Sequence, residues 1–190
     1  SPDTDRAVES RLHGIQTWVA LPKESEETAP SFHHHPATDI PTWESNGVTV
    51  TLVAGEAYNR TSPVKAFSPI LYLDLQFPQG GSFTLTTPHT ERAVYSVTPG
   101  IVLDGNPLEQ HRLVTLEPQK SVEISADSDG RCIVIGGEPL GTRYKWWNFV
   151  SSHPDRIEQA KQDWLDWKFG QVPGETEFIP LPNDLPLVKG

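Results

Sequence analysis

Short apolar segments separated by proline and glycine dominate the chain. Several of them alternate apolar and polar residues, as the run from Leu71 to Phe77 does. Alternation with a period of two is typical of strands that bury one face. The segments predicted as strands are 14–21, 48–55, 70–77, 82–87, 92–98, 101–105, 112–117, 121–126 and 131–137.

Turn signals rich in glycine, proline and aspartate separate these segments. They include QGG at 79–81, TPG at 98–100, DGNP at 104–107 and DSDG at 127–130. Closely spaced strands without helices between them favour an antiparallel β-sandwich or barrel over a β-α-β fold. The sequence therefore predicts an all-β fold.

One amphipathic helix is predicted near the C-terminus, over about 153–168. Ser152 and Asp155 predict a capping box at its start, and Gly170 predicts its end. The tail 171–190 is rich in proline, which predicts an extended path over the surface. The apolar face of the helix consists of Ile157, Ala160, Trp164 and Trp167.

Composition narrows the class of protein. The 190 residues suffice for one sizeable core, and 15 Lys and Arg against 25 Asp and Glu give a net charge of -10. This charge argues against direct nucleic-acid binding. No apolar run approaches the roughly 20 residues of a membrane span, and no export signal is recognised, so we expect no membrane partner. The single cysteine, Cys132, lies in an apolar run, which predicts a buried thiol and fits a cytoplasmic protein.

The stretch SFHHHP places three histidines in a polar, proline-broken segment, 23–41, that we interpret as a linker. If it is extended, His33 and His35 point to one side, as two ligands of a metal site do. The alternative is a linker in which the imidazoles bind nothing specific, and we favour it because no further ligands are nearby.

The stretch TTPHTERAVYSVTPGIVLDG at 86–105 resembles the metal-binding region of cupins. In that superfamily a His-x-His pair and a Glu on one strand, with a His on a later strand, hold a divalent metal. His89 and Glu91 stand where the paired histidines occur, and Glu91 or Arg92 stands for the acid. A four-ligand site cannot be assembled from these residues. We predict no metal site and no catalytic residue, and the only metal candidates are His33, His35, His89 and Glu91.

Aromatic residues are the remaining candidates for a pocket or interface. In KWWNFV at 145–150, read as a strand, Trp146 and Trp147 face opposite ways. They either join the helix to the β-body or form a binding platform. An apolar pocket inside the barrel is the other possibility, with aromatic lining from strands around Tyr72, Phe83 and Tyr95.

Several stretches together resemble the pirin family, in particular bacterial pirin-like proteins. The resemblance extends from about residue 11 to 182. The stretches that carry it are RLHGIQTWVALP (11–22), GVTVTLVAGEAY (47–58), SPILYLDL (68–75), ERAVYSV (91–97), GGEPL (136–140) and KWWNFVSSHPDRIEQAKQDW (145–164).

The resemblance implies a bicupin protein, with iron or another divalent metal in the N-terminal barrel only. It implies that residues 1–22 are a remnant of that barrel, 23–41 the linker and 42–190 the C-terminal cupin domain. No metal-ligand position of the family carries over onto this chain. We therefore expect no cofactor in this chain, and a metal in the full-length parent.

Three functions follow as hypotheses from this resemblance. The first is a structural or binding role beside the missing N-terminal cupin domain. The second is a metal-dependent dioxygenase of the quercetin 2,3-dioxygenase type, as an activity of the full-length parent, which leaves open whether the protein is an enzyme. The third is a stand-alone module for a protein partner or small ligand. Strand 14–21, without its own sheet, also predicts a homodimer by strand pairing.

Overall fold

The structure is a computed structural model, and it describes residues 13–170, 174 and 176–190. In this part of the chain fourteen strands accompany a single α-helix, α1, Pro154–Leu165. The strands are β1 Thr42–Ser45, β2 Val48–Ala57, β3 Arg60–Thr61, β4 Ile70–Phe77, β5 Ser82–Leu85, β6 Glu91–Ser96, β7 Ile101–Leu103, β8 Asn106–Leu108, β9 Leu113–Thr115, β10 Val122–Ala126, β11 Gly130–Gly137, β12 Tyr144–Trp146, β13 Phe149–Ser151 and β14 Val188–Lys189.

Two antiparallel sheets form the barrel. The larger has the order β1-β2-β4-β11-β6-β9, with β3 paired to β2, and the smaller has the order β5-β10-β7-β8. The predicted all-β antiparallel barrel with one C-terminal helix is confirmed. In this part of the chain no helix is long and apolar enough to cross a membrane.

The core lies between the two sheets, and alternation along each strand determines which side chains enter it. On β4, Leu71, Leu73 and Leu75 are buried, while Tyr72 between them faces the other side of the sheet. Cys132 of β11 is fully buried, as predicted, and burial raises the pKa of its thiol. Burial of an apolar side chain contributes about 1.5–3 kcal/mol, so this core is the main source of stability.

A third sheet, β13-β12-β14, and α1 form what we call the C-terminal unit. Ile157 and Ala160 of α1 are buried, and the helix contacts both β12 and β13. The tail is attached by β14 and by Trp146, whose indole N–H donates to the Leu185 carbonyl at 2.8 Å. The tail is thus held against the unit by a strand pair and a side-chain hydrogen bond.

Three local predictions were wrong. Segment 14–21 contains no strand, and its residues lie in irregular conformation. Residues 145–150 are not one strand, because β12 turns into β13 at Trp147, whose φ is 50°. The capping box is absent, since α1 begins after His153 without a side-chain cap and the Ser152 hydroxyl bonds to Glu26 instead.

Candidate functional site

A groove of about 980 Å³ lies on the outer face of the larger sheet, and we call it the outer groove. Tyr72 of β4 and Ile135 of β11 are paired across the strands and form part of its floor. Segment 15–21 forms one wall, and the loop before β4, which includes Phe67, contributes another part of the lining. The apolar lining includes Trp18, Val53, Phe67, Ile70, Tyr72 and Ile135.

Two contacts hold segment 15–21 at the groove. One is with Arg143, just before the C-terminal unit, and the other is with Lys145 of β12. The Arg143 guanidinium donates from Nη2 to the Leu21 carbonyl at 2.8 Å. The Lys145 ammonium lies 5.1 Å from the centre of the Trp18 ring, a distance typical of a cation–π contact. Trp18 nevertheless remains 49% exposed. The groove therefore presents aromatic surface to solvent.

The second candidate is a group of buried polar side chains inside one end of the barrel, Thr87, His89 and Arg92, which we call the mouth cluster. Arg92 alternates with the buried Val94 on β6, so its side chain enters the barrel, whereas Glu91 is exposed. A Cβ atom on Gly136 would lie 3.1 Å from the Arg92 Cγ, which places both on one face. A guanidinium thus lies inside the barrel, on the same face of β6 as the core residue Val94.

Hydrogen bonds fix the Arg92 side chain at the end of the barrel. Its Nη2 donates to the Glu117 carbonyl at 2.8 Å and to the Lys120 carbonyl at 2.7 Å. Leu85 of β5 pairs with Val122 of β10, at the last pair of this ladder. Thr87 and Lys120 therefore both lie just beyond the same end of the strand pair.

His89 is buried beside the start of β4. Burial lowers the pKa of its imidazole and outweighs the opposing effects of the Glu138 charge and a hydrogen bond with the Ile70 backbone. Nδ1 of the ring is buried and has no hydrogen-bond partner among the described residues. His89 also lines a cavity of about 480 Å³ at this end of the barrel.

The other metal candidates are not brought to the mouth cluster. His33 is exposed and His35 is half-buried, with ring centroids 6.5 Å apart. In the described residues no group of three or more potential ligands from His, Cys, Asp and Glu occurs. The groups of the mouth cluster that could ligate a metal are one imidazole and one hydroxyl, and they accompany a positively charged guanidinium. This set does not fit a divalent cation.

The structure does not bring the predicted pocket aromatics together. Tyr72 lines the outer groove, whereas Phe83 lies in the core, 5.5 Å from the Tyr58 ring. The Tyr95 hydroxyl lies 3.2 Å from Nδ1 of His111. Pairing across the sheet puts Tyr95 beside Ile133, on the opposite face from the core residue Val94.

Trp146 and Trp147 occupy the C-terminal unit rather than a pocket. Trp146 is buried, and the Lys161 ammonium lies 4.3 Å from its ring centre. Trp147 is half-buried and meets Trp164 of α1 edge to face, with ring centroids 5.0 Å apart. These contacts join the β12–β13 hairpin to the helix.

Sequence reasoning missed Glu26 and the burial of Arg92. The alternation of Arg92, Val94 and Ser96 along β6 was a usable signal for Arg92, since a residue two positions from a core valine shares its face. No local signal marks Glu26, because its partners lie far away in the sequence.

The fold is an antiparallel barrel of two sheets, and comparisons with known proteins identify its class and family. A family model described as the pirin C-terminal cupin domain matches residues 72–170. A pirin-like protein of Caulobacter vibrioides is 40% identical over 178 residues, which cover 91% of this chain and 61% of that protein. Human pirin is 27% identical over 92% of this chain and 63% of its own length.

A solved structure agrees with this result. The crystal structure of a quercetin 2,3-dioxygenase from Acinetobacter baumannii superposes with a TM-score of 0.78 at 29% identity, covering 88% of this chain and 58% of that one. This chain belongs to the pirin family, as the sequence resemblance indicated. It spans about three fifths of the length of the relatives described here.

Proposed function

We propose that this chain is a pirin-type cupin domain that binds no metal of its own and acts by docking against a second cupin barrel. The outer groove is the observation that carries this proposal. It has about 980 Å³ of mainly apolar space, and its aromatic wall residue Trp18 is half exposed. An apolar surface of this kind is typical of a protein interface.

The proposed occupant is the metal-bearing barrel that the family resemblance places in the remainder of a longer protein. The chain covers 61% of the Caulobacter relative, so that relative has a further part with no counterpart here. A neighbouring domain that buries Tyr72, Phe67 and Trp18 would remove apolar surface from water. This gain supports an interface at the groove.

The mouth cluster supports the absence of a metal in this barrel. The Arg92 guanidinium carries a permanent positive charge on the inner face of β6. A divalent cation beside it would be repelled in a poorly solvated interior. The chemistry of a longer parent would then belong to its other barrel.

The test is a calorimetric titration of this chain with the part of the Caulobacter protein that this chain does not cover, which the family resemblance places at the N-terminus. We expect saturable one-to-one binding that Ile135→Glu abolishes, because a charge would be placed on the groove floor. The control is Thr49→Glu, a half-buried position on a different part of the same sheet. No binding, or equal binding by Ile135→Glu, would contradict the proposal.

A dioxygenase activity of the quercetin 2,3-dioxygenase type is the second candidate, as an activity of a longer parent. It is favoured by the likeness to the Acinetobacter baumannii enzyme. Oxygen consumption with quercetin, measured for this chain alone and with the added N-terminal part, tests it. We expect turnover only in the mixture, and turnover by this chain alone would assign the activity to this barrel.

Two rival hypotheses remain. In the first, this chain is a stand-alone module whose groove binds a protein partner or a small ligand, and in the second it forms a homodimer. The edge strand β9 exposes Leu113 and Val114, so a second copy has an edge available for pairing. Light scattering of this chain detects a homodimer. A dimer that dissociates when the N-terminal part is added would show that the second copy and the N-terminal part bind at one surface.

The single buried Cys132 supports a reducing compartment such as the cytoplasm.

A further inference from the structure

The mouth cluster contains polar atoms that have no partner although they are buried. These atoms are the Thr87 hydroxyl, Nδ1 of His89, and Nε and Nη1 of Arg92. The three residues are 5%, 6% and 3% exposed. Buried polar groups in folded proteins are nearly always hydrogen-bonded, so several unpartnered groups at one place indicate a missing partner.

The charge of Arg92 defines the partner more closely. In the described part of the chain no carboxylate forms an ion pair with it. Its two protein contacts are with backbone carbonyls, which are neutral. An uncompensated buried charge is costly, and neither an imidazole nor a hydroxyl can supply a negative charge. The missing partner is therefore an anion.

His89 adds a second requirement, because its Nδ1 is buried without a partner. In the neutral ring Nδ1 either accepts or donates a hydrogen bond, and a hydroxyl group satisfies both cases. A ligand that satisfies the cluster must offer oxygen atoms with negative charge to Arg92 and a hydroxyl group to His89.

His89 lines a cavity of about 480 Å³, and Arg92 lines the outer groove, which shares Val64 and Ile70 with that cavity. The two spaces therefore adjoin, and they reach the cluster from His89 and from Arg92. The cavity lies between the end of β2 and the loop before β4, and its lining includes Gly55, Ser62, Val64, Ser68 and Ile70. Its volume is ample for a molecule of a few heavy atoms, because one water in the liquid takes about 30 Å³.

We propose that the mouth cluster binds a small hydroxycarboxylate, with its carboxylate at Arg92 and Thr87 and its hydroxyl hydrogen-bonded to Nδ1 of His89. A carboxylate and a guanidinium form charge-assisted hydrogen bonds, which are the strong ones in a protein interior. The site adjoins the outer groove, since Arg92 also lines that groove. Binding of a small ligand is measured on this chain alone, so its test is distinct from the test of the proposed docking.

Glycolate and acetate form a matched pair of probes for this site, since only glycolate carries the hydroxyl. The measurement is calorimetric titration of the full chain in a buffer without other carboxylates. We expect saturable one-to-one binding of both, with glycolate binding roughly tenfold more tightly, as one hydrogen bond in a buried site predicts. Absence of saturable binding by either probe would overturn the proposal.

Variants assign the contacts. Arg92→Met should abolish binding of both probes, while His89→Leu should bring glycolate down to the affinity of acetate. Arg112→Gln is the control, because Arg112 is an exposed arginine paired with Glu109 at 3.3 Å and should leave both affinities unchanged. Unchanged binding by Arg92→Met would contradict the assignment. If Arg92→Met does not fold, Thr87→Val decides: it should weaken both probes, and unchanged affinities would overturn the proposed carboxylate position.

Discussion

The Glu26 carboxylate and the Arg143 guanidinium form an ion pair, with Oε1 3.0 Å from Nε, although the two residues lie far apart in the sequence. Their side chains are only 12% and 10% exposed. The same carboxylate accepts hydrogen bonds from the backbone N–H and the hydroxyl of Ser152, each at 3.0 Å. Glu26 thus joins the segment beside the outer groove to the start of α1.

Replacing Glu26 with glutamine should lower the free energy of unfolding by about 2–3 kcal/mol. The amide keeps part of the hydrogen bonding but leaves the poorly exposed Arg143 charge without its partner. Urea unfolding followed by tryptophan fluorescence measures the change.

Glu27→Gln is the matched control for that measurement. Glu27 pairs with Arg156 at 2.8 Å, but its side chain is 70% exposed, so water screens the pair. We expect Glu27→Gln to lower the free energy of unfolding by less than about 1 kcal/mol. Equal losses from Glu26→Gln and Glu27→Gln would show that the buried network contributes nothing beyond a surface pair.

Acid should weaken the same connection. Burial by itself raises the pKa of Glu26, but the hydrogen bonds from Ser152 and Ser151 and the charge of Arg143 together lower it. A carboxyl whose folded pKa is lowered contributes stability that is present above the unfolded pKa and is lost as the pH falls through the folded pKa. Urea midpoints measured across the acidic range should fall less steeply in Glu26→Gln than in the wild type, and parallel curves would contradict this role.

Gly55→Ala should be strongly destabilising. Gly55 has a φ of +89°, and a Cβ atom there would lie 1.8 Å from the Ile70 carbonyl oxygen, so the paired strands β2 and β4 would have to separate. We expect a loss of at least about 3 kcal/mol, above the 1–3 kcal/mol of an unfavourable backbone conformation alone.

Gly105→Ala is the control for the contact of Gly55. Its φ of +78° is similar, but no atom lies within 4 Å of the added Cβ. Gly105→Ala should therefore lower the free energy of unfolding by only about 1 kcal/mol, the cost of the left-handed backbone conformation. Thermal unfolding of both variants separates the two effects, and similar losses would mean that the close approach to Ile70 has little weight.

Most strands were predictable because the alternation that defines them is local. The runs 48–55, 70–77 and 131–137 correspond closely to β2, β4 and β11. The strand prediction for 14–21 failed for a physical reason, since the apolar residues of this segment line the groove without strand pairing. The capping prediction for Ser152 failed for a similar reason, because its hydroxyl donates to the distant Glu26 carboxylate instead. Such competition depends on tertiary structure, which no local pattern contains.

The candidate site was less predictable than the fold. His89 and Glu91 were singled out because of a cupin-like spacing, with Arg92 as the alternative to Glu91 for the acid. Only the structure shows that His89 and Arg92 are buried and that Glu91 is not. The outer groove could not be foreseen, since Trp18, Phe67 and Tyr72 meet there from three separate segments.

We propose that this pirin-family barrel holds no metal and has a binding role. Metal content measured by plasma mass spectrometry, after incubation of the chain with iron(II) and dialysis, tests this proposal. We expect far less than one metal per chain, in the wild type and in His33→Ala alike. Near-stoichiometric iron that is lost in His89→Ala but kept in His33→Ala would contradict it and make the mouth cluster a metal centre.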